Sequence, residues 1–308
     1  MTSPSVSIII PVKNAEKTIY TCLDAIYHQE FVGPLAVLLV DSGSTDRTLE
    51  IASTFPTRLL QIPPEQFHHA GTRHLAIQRT GEPLIVLLNG DAVPANSYWL
   101  STLLLAVQPE DVAAAYSRQV PQPGAYPMEE FFLDIVYPPV RNGASMRGRV
   151  FGSFFSTVSC ILKRSIYDAN PFSPKMIISE DQEWSIRVSQ RGYRILYAPE
   201  SIVYHSHNYS LERAFRRFFD MGMMARISSL SHNPQYQQAI TRRALTYPLG
   251  EILFLIKTNR VRWIPYALLY DFAKFFGYTL GLCGEMLPDS VIKKLSLSSH
   301  TNAERRQK

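Results

Sequence analysis

The 308-residue chain predicts an α/β fold, a mostly parallel sheet flanked by helices and followed by a helical C-terminal extension. Three observations lead there. Short apolar, β-branched runs at Ser7–Val12, Leu35–Val40 and Leu84–Asn89 read as buried strands. The segments between them have helical spacing, which makes βαβ units. Beyond about Leu211 the pattern turns helical.

In order, SIIIPV is the first strand, and Asn14 opens a helical pattern to His28 with Ile19, Leu23, Ile26 and Tyr27 on one face. The second strand, Leu35–Val40, closes at Asp41, before a Ser42-Gly43-Ser44 turn and a short helix over Thr45–Ser53. Leu59–Ile62 is a weak third strand, Ala70–Arg79 a helix, and Leu84–Asn89 a strand ending at Gly90-Asp91. Ser97–Val107 reads as a helix and Val112–Val120 as a strand. The stretch Gln122–Gly148, with prolines at 123, 127, 138 and 139, reads as loop-rich. Phe151–Leu162 is a strand feeding a helix near Arg164, and Ser179 N-caps a helix that Gly192 stops. Arg194–Tyr197 and Ile202–His205 are two short strands. Tyr247–Met286 is aromatic and aliphatic, with Lys257, Arg260, Arg262 and Lys274 interspersed. It suits helices lying in a membrane interface as well as a helical cap packed on the core. The expected boundaries are a domain over 1–210 with halves of about 1–95 and 96–210, a helical region over 211–295, and a disordered tail over 296–308.

Composition narrows the classes. At 46% hydrophobic and 19% charged, the chain can build a core. Three widely spaced cysteines (Cys22, Cys160, Cys283) give neither a disulfide framework nor a CxxC metal signature, so a reducing, cytosolic setting is expected. MTSPSVSIIIPV does not read as a secretory signal, and no run offers the roughly 20 apolar residues of a membrane span. Arg242–Lys308 carries 11 Lys+Arg against 5 Asp+Glu, a net of +6, whereas the rest of the chain is net −1. That end is either a solvated face or one that meets an anionic membrane or polymer. No helix-turn-helix, zinc-finger or aromatic RNA-binding signature is present, so no nucleic-acid partner is expected. GxxxxGK[ST] and GxGxxG are missing after the first strand.

Several polar residues fall at informative places. Asp41 and Asp91 both follow buried strands, and ligands of open parallel sheets bind at the carboxyl ends of strands. Either alone could be an N-cap; together they favour a site. Asp181 sits among three acids in SEDQEW, where acids complement a helix dipole but a fixed carboxylate can also serve as a general base. Alternation puts His205 and His207 on one face, and a carboxylate plus a histidine can hold a divalent cation with positions open to phosphate oxygens. Arg73, flanked by His68, His69 and His74 and near Gly71 at a helix opening, can pair with phosphate.

SIIIPVKNAEKTI, VDSGSTDRT and NGDAVP together resemble the family-2 glycosyltransferases, whose GT-A fold has a Rossmann-like sheet. FHHAGTRHLA, SEDQEWSIRV, GYRILYAPESIVYHSHNYSL and FRRFFDMG are similar to the rhamnosyltransferase branch of bacterial polysaccharide synthesis. The resemblance runs from about Ser5 to Gly222 and more loosely into the C-terminal helices. It implies that Pro11 and Asn14 border the nucleotide base, that Asp41 hydrogen-bonds it, and that Thr72 and Arg73 approach the diphosphate. Asn89, Gly90 and Asp91 occupy the DXD metal motif, with Asp91 its last acid, and His205 completes the metal site. Asp181 matches the catalytic base, with Glu180 the next candidate. Ser42 replaces the second acid of the usual VDDGS, and Asn89 the first acid of DXD. The implied reaction is an inverting transfer of L-rhamnose from dTDP-L-rhamnose to a hydroxyl of a glycan, itself on a lipid carrier, with Mg2+ or Mn2+. The implied location is cytoplasmic, peripheral on the inner face of the bacterial inner membrane through the C-terminal region. The alternatives are a UDP- or GDP-sugar donor, a sugar nucleotidyltransferase, and a non-catalytic nucleotide-sugar or glycan binder. The nucleotidyltransferase would want a Gly-rich loop after the first strand, where this chain has PVKNAEKT.

Overall fold

The computed structural model describes residues 4–139, 154–174, 176, 178–227 and 234–297. Eight strands form one sheet in the order β3-β2-β1-β4-β7-β6-β8-β5. The first half contains β1 (Val6–Val12), α1 (Ile19–Tyr27), β2 (Leu35–Asp41), α2 (Thr48–Ala52), β3 (Arg58–Gln61), α3 (His69–Gln78) and β4 (Leu84–Leu88). β1 pairs in parallel with β2 and β4, and β2 with β3. The apolar runs are continuous because both faces are covered. Ile8, Ile10, Val86 and Leu88 pack with Cys22, Leu23 and Trp99 on one face, while Ile9, Ile85 and Leu87 pack with Ala76, Ile77 and Trp184 on the other.

The second half adds β5 (Val93–Pro94), α4 (Trp99–Ala106), β6 (Val112–Val120), α5 (Pro127–Val136), β7 (Ser159–Lys163), α6 (Arg164–Ala169), α7 (Glu180–Gln190) and β8 (Arg194–Tyr204). Here the sheet is mixed. β7 runs antiparallel to both β4 and β6, and β5 antiparallel to β8, while β6 and β8 are parallel. An apolar run reports burial, not direction, so the sequence pattern carries no signal for this reversal.

Several local expectations change. The first helix starts at Ile19, not Asn14, because Asn14 takes positive φ (51°) and its Oδ1 accepts the Thr45 N–H at 2.8 Å. The two short strands expected over 194–205 are one strand, irregular in register between Ser117 and Arg118 of its neighbour. The loop-rich stretch contains α5, with Pro127 at its first position, where a missing N–H costs nothing. Ser179 precedes α7 but makes no side-chain cap; it holds a left-handed backbone at φ 65°. The strand expected over 151–162 begins only at Ser159, residues 154–158 being irregular, while 151–153 and the tail beyond Leu297 lie outside the described residues. Within the expected tail, Ser296 is buried and the Leu297 N–H donates to Asp220 at 3.0 Å.

The C-terminal helices are α8 (Leu211–Ile227), α9 (Pro234–Lys257), α10 (Ile264–Leu282) and α11 (Asp289–Leu295). α8 and α10 approach backbone to backbone: a Cβ on Gly277 would meet the Phe215 carbonyl, one on Gly281 the Phe219 carbonyl, and one on Gly222 the Tyr278 carbonyl.

Candidate functional site

At the carboxyl ends of β1 and β4 lies a cleft of about 650 Å³. Pro11, Asn14, Thr72, Arg73, Asn89, Gly90 and Asp91 all line it, with Ser42, Thr45 and Phe67. Asn14 joins two loops of its wall, since its N–H donates to Ser44 Oγ at 2.9 Å while its Oδ1 accepts from Thr45. Asp41 is buried and does not line the cleft; its carboxylate accepts the N–H groups of Gly43 and Ser44 at 3.1 Å each. Gly90 sits where a Cβ would run into the Val12 side chain, so only glycine lets β1 and the loop after β4 come this close.

Arg73 and Asp91 each reach from the cleft into the second half of the molecule. Arg73, on α3, is buried; it donates to Asn89 Oδ1 at 3.1 Å and to Glu180 Oε1 at 2.6 Å, while its Nε–H has no partner among the described residues. Glu180 is equally buried, so the pair is a desolvated ion pair anchoring the first turn of α7 to the cleft. That leaves Asp181, the next residue, partly exposed. Its Oδ1 accepts from the Gln182 N–H at 2.8 Å and its Oδ2 from the Thr157 N–H at 3.3 Å. Burial, and then the Glu180 charge, push its carboxyl up to about 6, against the opposing pull of Arg73 and the two amides. A carboxylate in that range can take a proton near neutral pH.

Asp91 lies against two histidines. His205 Nε2 is 3.6 Å from Asp91 Oδ1, and His207 Nε2 is 3.7 Å from Asp91 Oδ2. The ligand atoms of the three residues all fall within 4.8 Å of one another. The tautomer of His205 is set by Gln119 on β6. The Gln119 amide NH2 donates to Tyr137 Oη at 2.6 Å and Ser156 Oγ at 3.0 Å, so its Oε1 faces His205 Nδ1 at 2.8 Å and accepts the proton there. Nε2 is then a bare lone pair, buried and without a hydrogen-bond partner among the described residues. Burial pushes His205 down to about 4, with Asp91 opposing, so the ring is neutral at ordinary pH. An orphaned, buried, neutral imidazole nitrogen beside a carboxylate and a second imidazole fits a divalent cation. Two donors on one ion sit roughly 3–4 Å apart, too far for the hydrogen bonds they do not make.

Glu180 and Asp181 at the start of α7 lie beside Arg73 without themselves lining the cleft, and Asp91, on the cleft wall, lies against His205 and His207. The chain pattern singled out the shared face of His205 and His207 but assigned only His205. It gave no sign of Gln119, whose partner is 86 residues away. His207 stacks on Tyr209, and its N–H lies 3.4 Å from Glu129 Oε1 of α5.

Comparison with known proteins gives a consistent picture. Residues 7–168 match the profile described as glycosyl transferase family 2. The chain is 32% identical over 304 residues to the O-antigen chain rhamnosyltransferase WbaN of Salmonella anatum, covering 96% of this chain and 94% of that one. It is also 32% identical to the O-antigen chain rhamnosyltransferase RfbN of Salmonella typhimurium, over 95% of this chain and 94% of that protein. Among solved structures, a mannosyltransferase from Pyrobaculum calidifontis in complex with GDP-Man and Mn2+ superposes with a TM-score of 0.62 at 17% identity, over 92% of this chain and 89% of that one. Staphylococcus aureus TarS 1-349 in complex with UDP does so with a TM-score of 0.52 at 16% identity, over 93% and 91%. At that identity the two structures speak for the GT-A-like fold alone.

Proposed function

We propose a donor and a mechanism from one premise: the chain belongs to glycosyl transferase family 2 and is a glycosyltransferase. The reaction is the transfer of L-rhamnose from dTDP-L-rhamnose to a hydroxyl of a lipid-carrier-linked glycan in cell-surface polysaccharide synthesis, with inversion. Likeness to two O-antigen chain rhamnosyltransferases over nearly the whole chain supports the sugar and the pathway class. The unit over 1–210 does the chemistry, and the helices from Leu211 meet the inner face of the bacterial inner membrane, where such an acceptor would be presented. Among the described residues no helix is long and apolar enough to cross a membrane.

One observation carries the mechanism. Arg73 ties Glu180 to the cleft and leaves the neighbouring Asp181 carboxylate without a cationic partner among the described residues, held by two backbone amides and with its proton affinity raised toward neutrality. Asp181 accepts the proton of the acceptor hydroxyl at Oδ1 or Oδ2 as that oxygen attacks the anomeric carbon from the face opposite the leaving dTDP. Glu180, spent on Arg73, is not the base. Pro11 and Asn14 border the base of the nucleotide, with Asp41 holding the turn behind them. Thr72, Asn89 and Gly90 flank the diphosphate. Asp91, His205 and His207 would hold Mg2+ or Mn2+, which would supply charge neutralisation for the leaving diphosphate.

A thermal-shift panel with dTDP, UDP and GDP, each with and without Mn2+, tests the donor. A ligand at a hundred times its Kd stabilises the fold by about 2.7 kcal/mol. The expected outcome is a Mn2+-dependent rise with dTDP and none of similar size with the others. A rise with UDP or GDP alone discards rhamnose, and no rise with any nucleotide overturns the donor site.

A further inference from the structure

The C-terminal hairpin of α9 and α10 is built inside out. Along α10 the two charged residues, Asp271 and Lys274, turn inward and pair at 2.7 Å, with the Lys274 ammonium over the rings of Tyr247 and Tyr270. On α9 Glu251 is 1% exposed. Burial, and then Asp271, push its carboxyl up to about 8. The outward positions carry the opposite chemistry: Leu249 and Leu253 on α9, and Leu269, Phe272, Phe275 and Phe276 on α10, with Phe272 65% exposed. A helix packed between a core and water has the reverse pattern. Large apolar side chains gathered on the outward face of each helix mark a surface that something apolar covers.

We propose that this face lies in the interfacial layer of an anionic phospholipid bilayer, with the hairpin parallel to the membrane plane. Charge and ring placement select lipid over other occupants. Lys257 and Arg262 stand exposed at the hairpin turn, beside a Trp263, Tyr266 and Tyr126 ring cluster, the mixture that sits at headgroup level. The whole net positive charge of the chain lies from Arg242 onward. The hairpin does not qualify as a crossing helix, so it rests on the bilayer instead of spanning it. The proposal rests on the reading that the acceptor is membrane-borne, and it assigns the surface that brings the cleft there.

The test is flotation of the full chain with phosphatidylcholine vesicles, with and without phosphatidylglycerol. A double variant, Phe272→Ser with Phe275→Ser, removes the centre of the face without touching the site, and Leu105→Ser on α4, also exposed, is the control. Expected are flotation of the wild type and the control with anionic vesicles, and partitioning at least about tenfold weaker for the double variant. All three should show the same nucleotide-induced rise in melting temperature, which separates lost docking from lost folding and from failure of the donor reading. Equal flotation of the double variant overturns the proposal. So does a wild type that ignores vesicles but forms a dimer that the double variant abolishes, since a second copy then covers the face.

Discussion

Asp181 and Glu180 are adjacent carboxylates with different fates, and the difference is a single guanidinium. Arg73 takes Glu180 into a buried ion pair and leaves Asp181 partly exposed. Removing the proposed base by Asp181→Asn should lower kcat by about 10²–10⁴-fold without changing nucleotide binding, measured by turnover beside melting temperature. The pH profile is a sharper check. The base must be ionised, so the acid limb of kcat should fall below about pH 6 in the wild type. Glu180→Gln removes the negative charge that raises Asp181 and keeps a hydrogen-bonding partner for Arg73, so the limb should move to lower pH. A limb that stays in place would mean that another group titrates. The residue types at this site were legible in SEDQEW and in FHHAGTRHLA, since carboxylates at a helix start and an arginine near a helix opening carry their chemistry in any fold. That Arg73 meets Glu180 was not legible, because 107 residues separate them.

At the scale of elements, β1, β2 and β4 declared themselves because burial on both faces demands apolar residues at every position. β8 did not: its centre, Ala198-Pro199-Glu200, looks like a break between two strands, yet the register shift against β6 accommodates it. The start of α7 shows the same limit, since a serine before a helix suggests a side-chain cap and here marks a left-handed turn that aims the first turn at Arg73. The packing of α8 on α10 depends on glycines that the sequence displays but does not explain. Gly277→Ala places a methyl group against the Phe215 carbonyl, so the helices must separate, at about 1–3 kcal/mol. A melting temperature lowered by several degrees, with the cleft's nucleotide response retained, is the expected result.

The whole molecule brings a cluster that could hold a metal ion together from distant pieces: Asp91 after β4, His205 and His207 after β8, and Gln119 on β6 behind them. Because Gln119 fixes the proton on His205 Nδ1, Gln119→Met should weaken Mn2+ binding by about 10–100-fold in a calorimetric titration, beyond any loss of stability from stranding Tyr137 and Ser156. His207→Ala should lower Mn2+ affinity too, and unchanged affinity would remove His207 from the group. By itself the sequence determined the buried strands, the sites at their carboxyl ends and the kinship with family 2, because periodicity and residue chemistry are local properties. Only the tertiary structure decided the reversed direction of β7, the burial of Glu180 against Arg73, the contact of Gln119 with His205 and the inside-out face of α9 and α10. Each depends on which side chains meet across long stretches of chain, and on which of them are left to face outward.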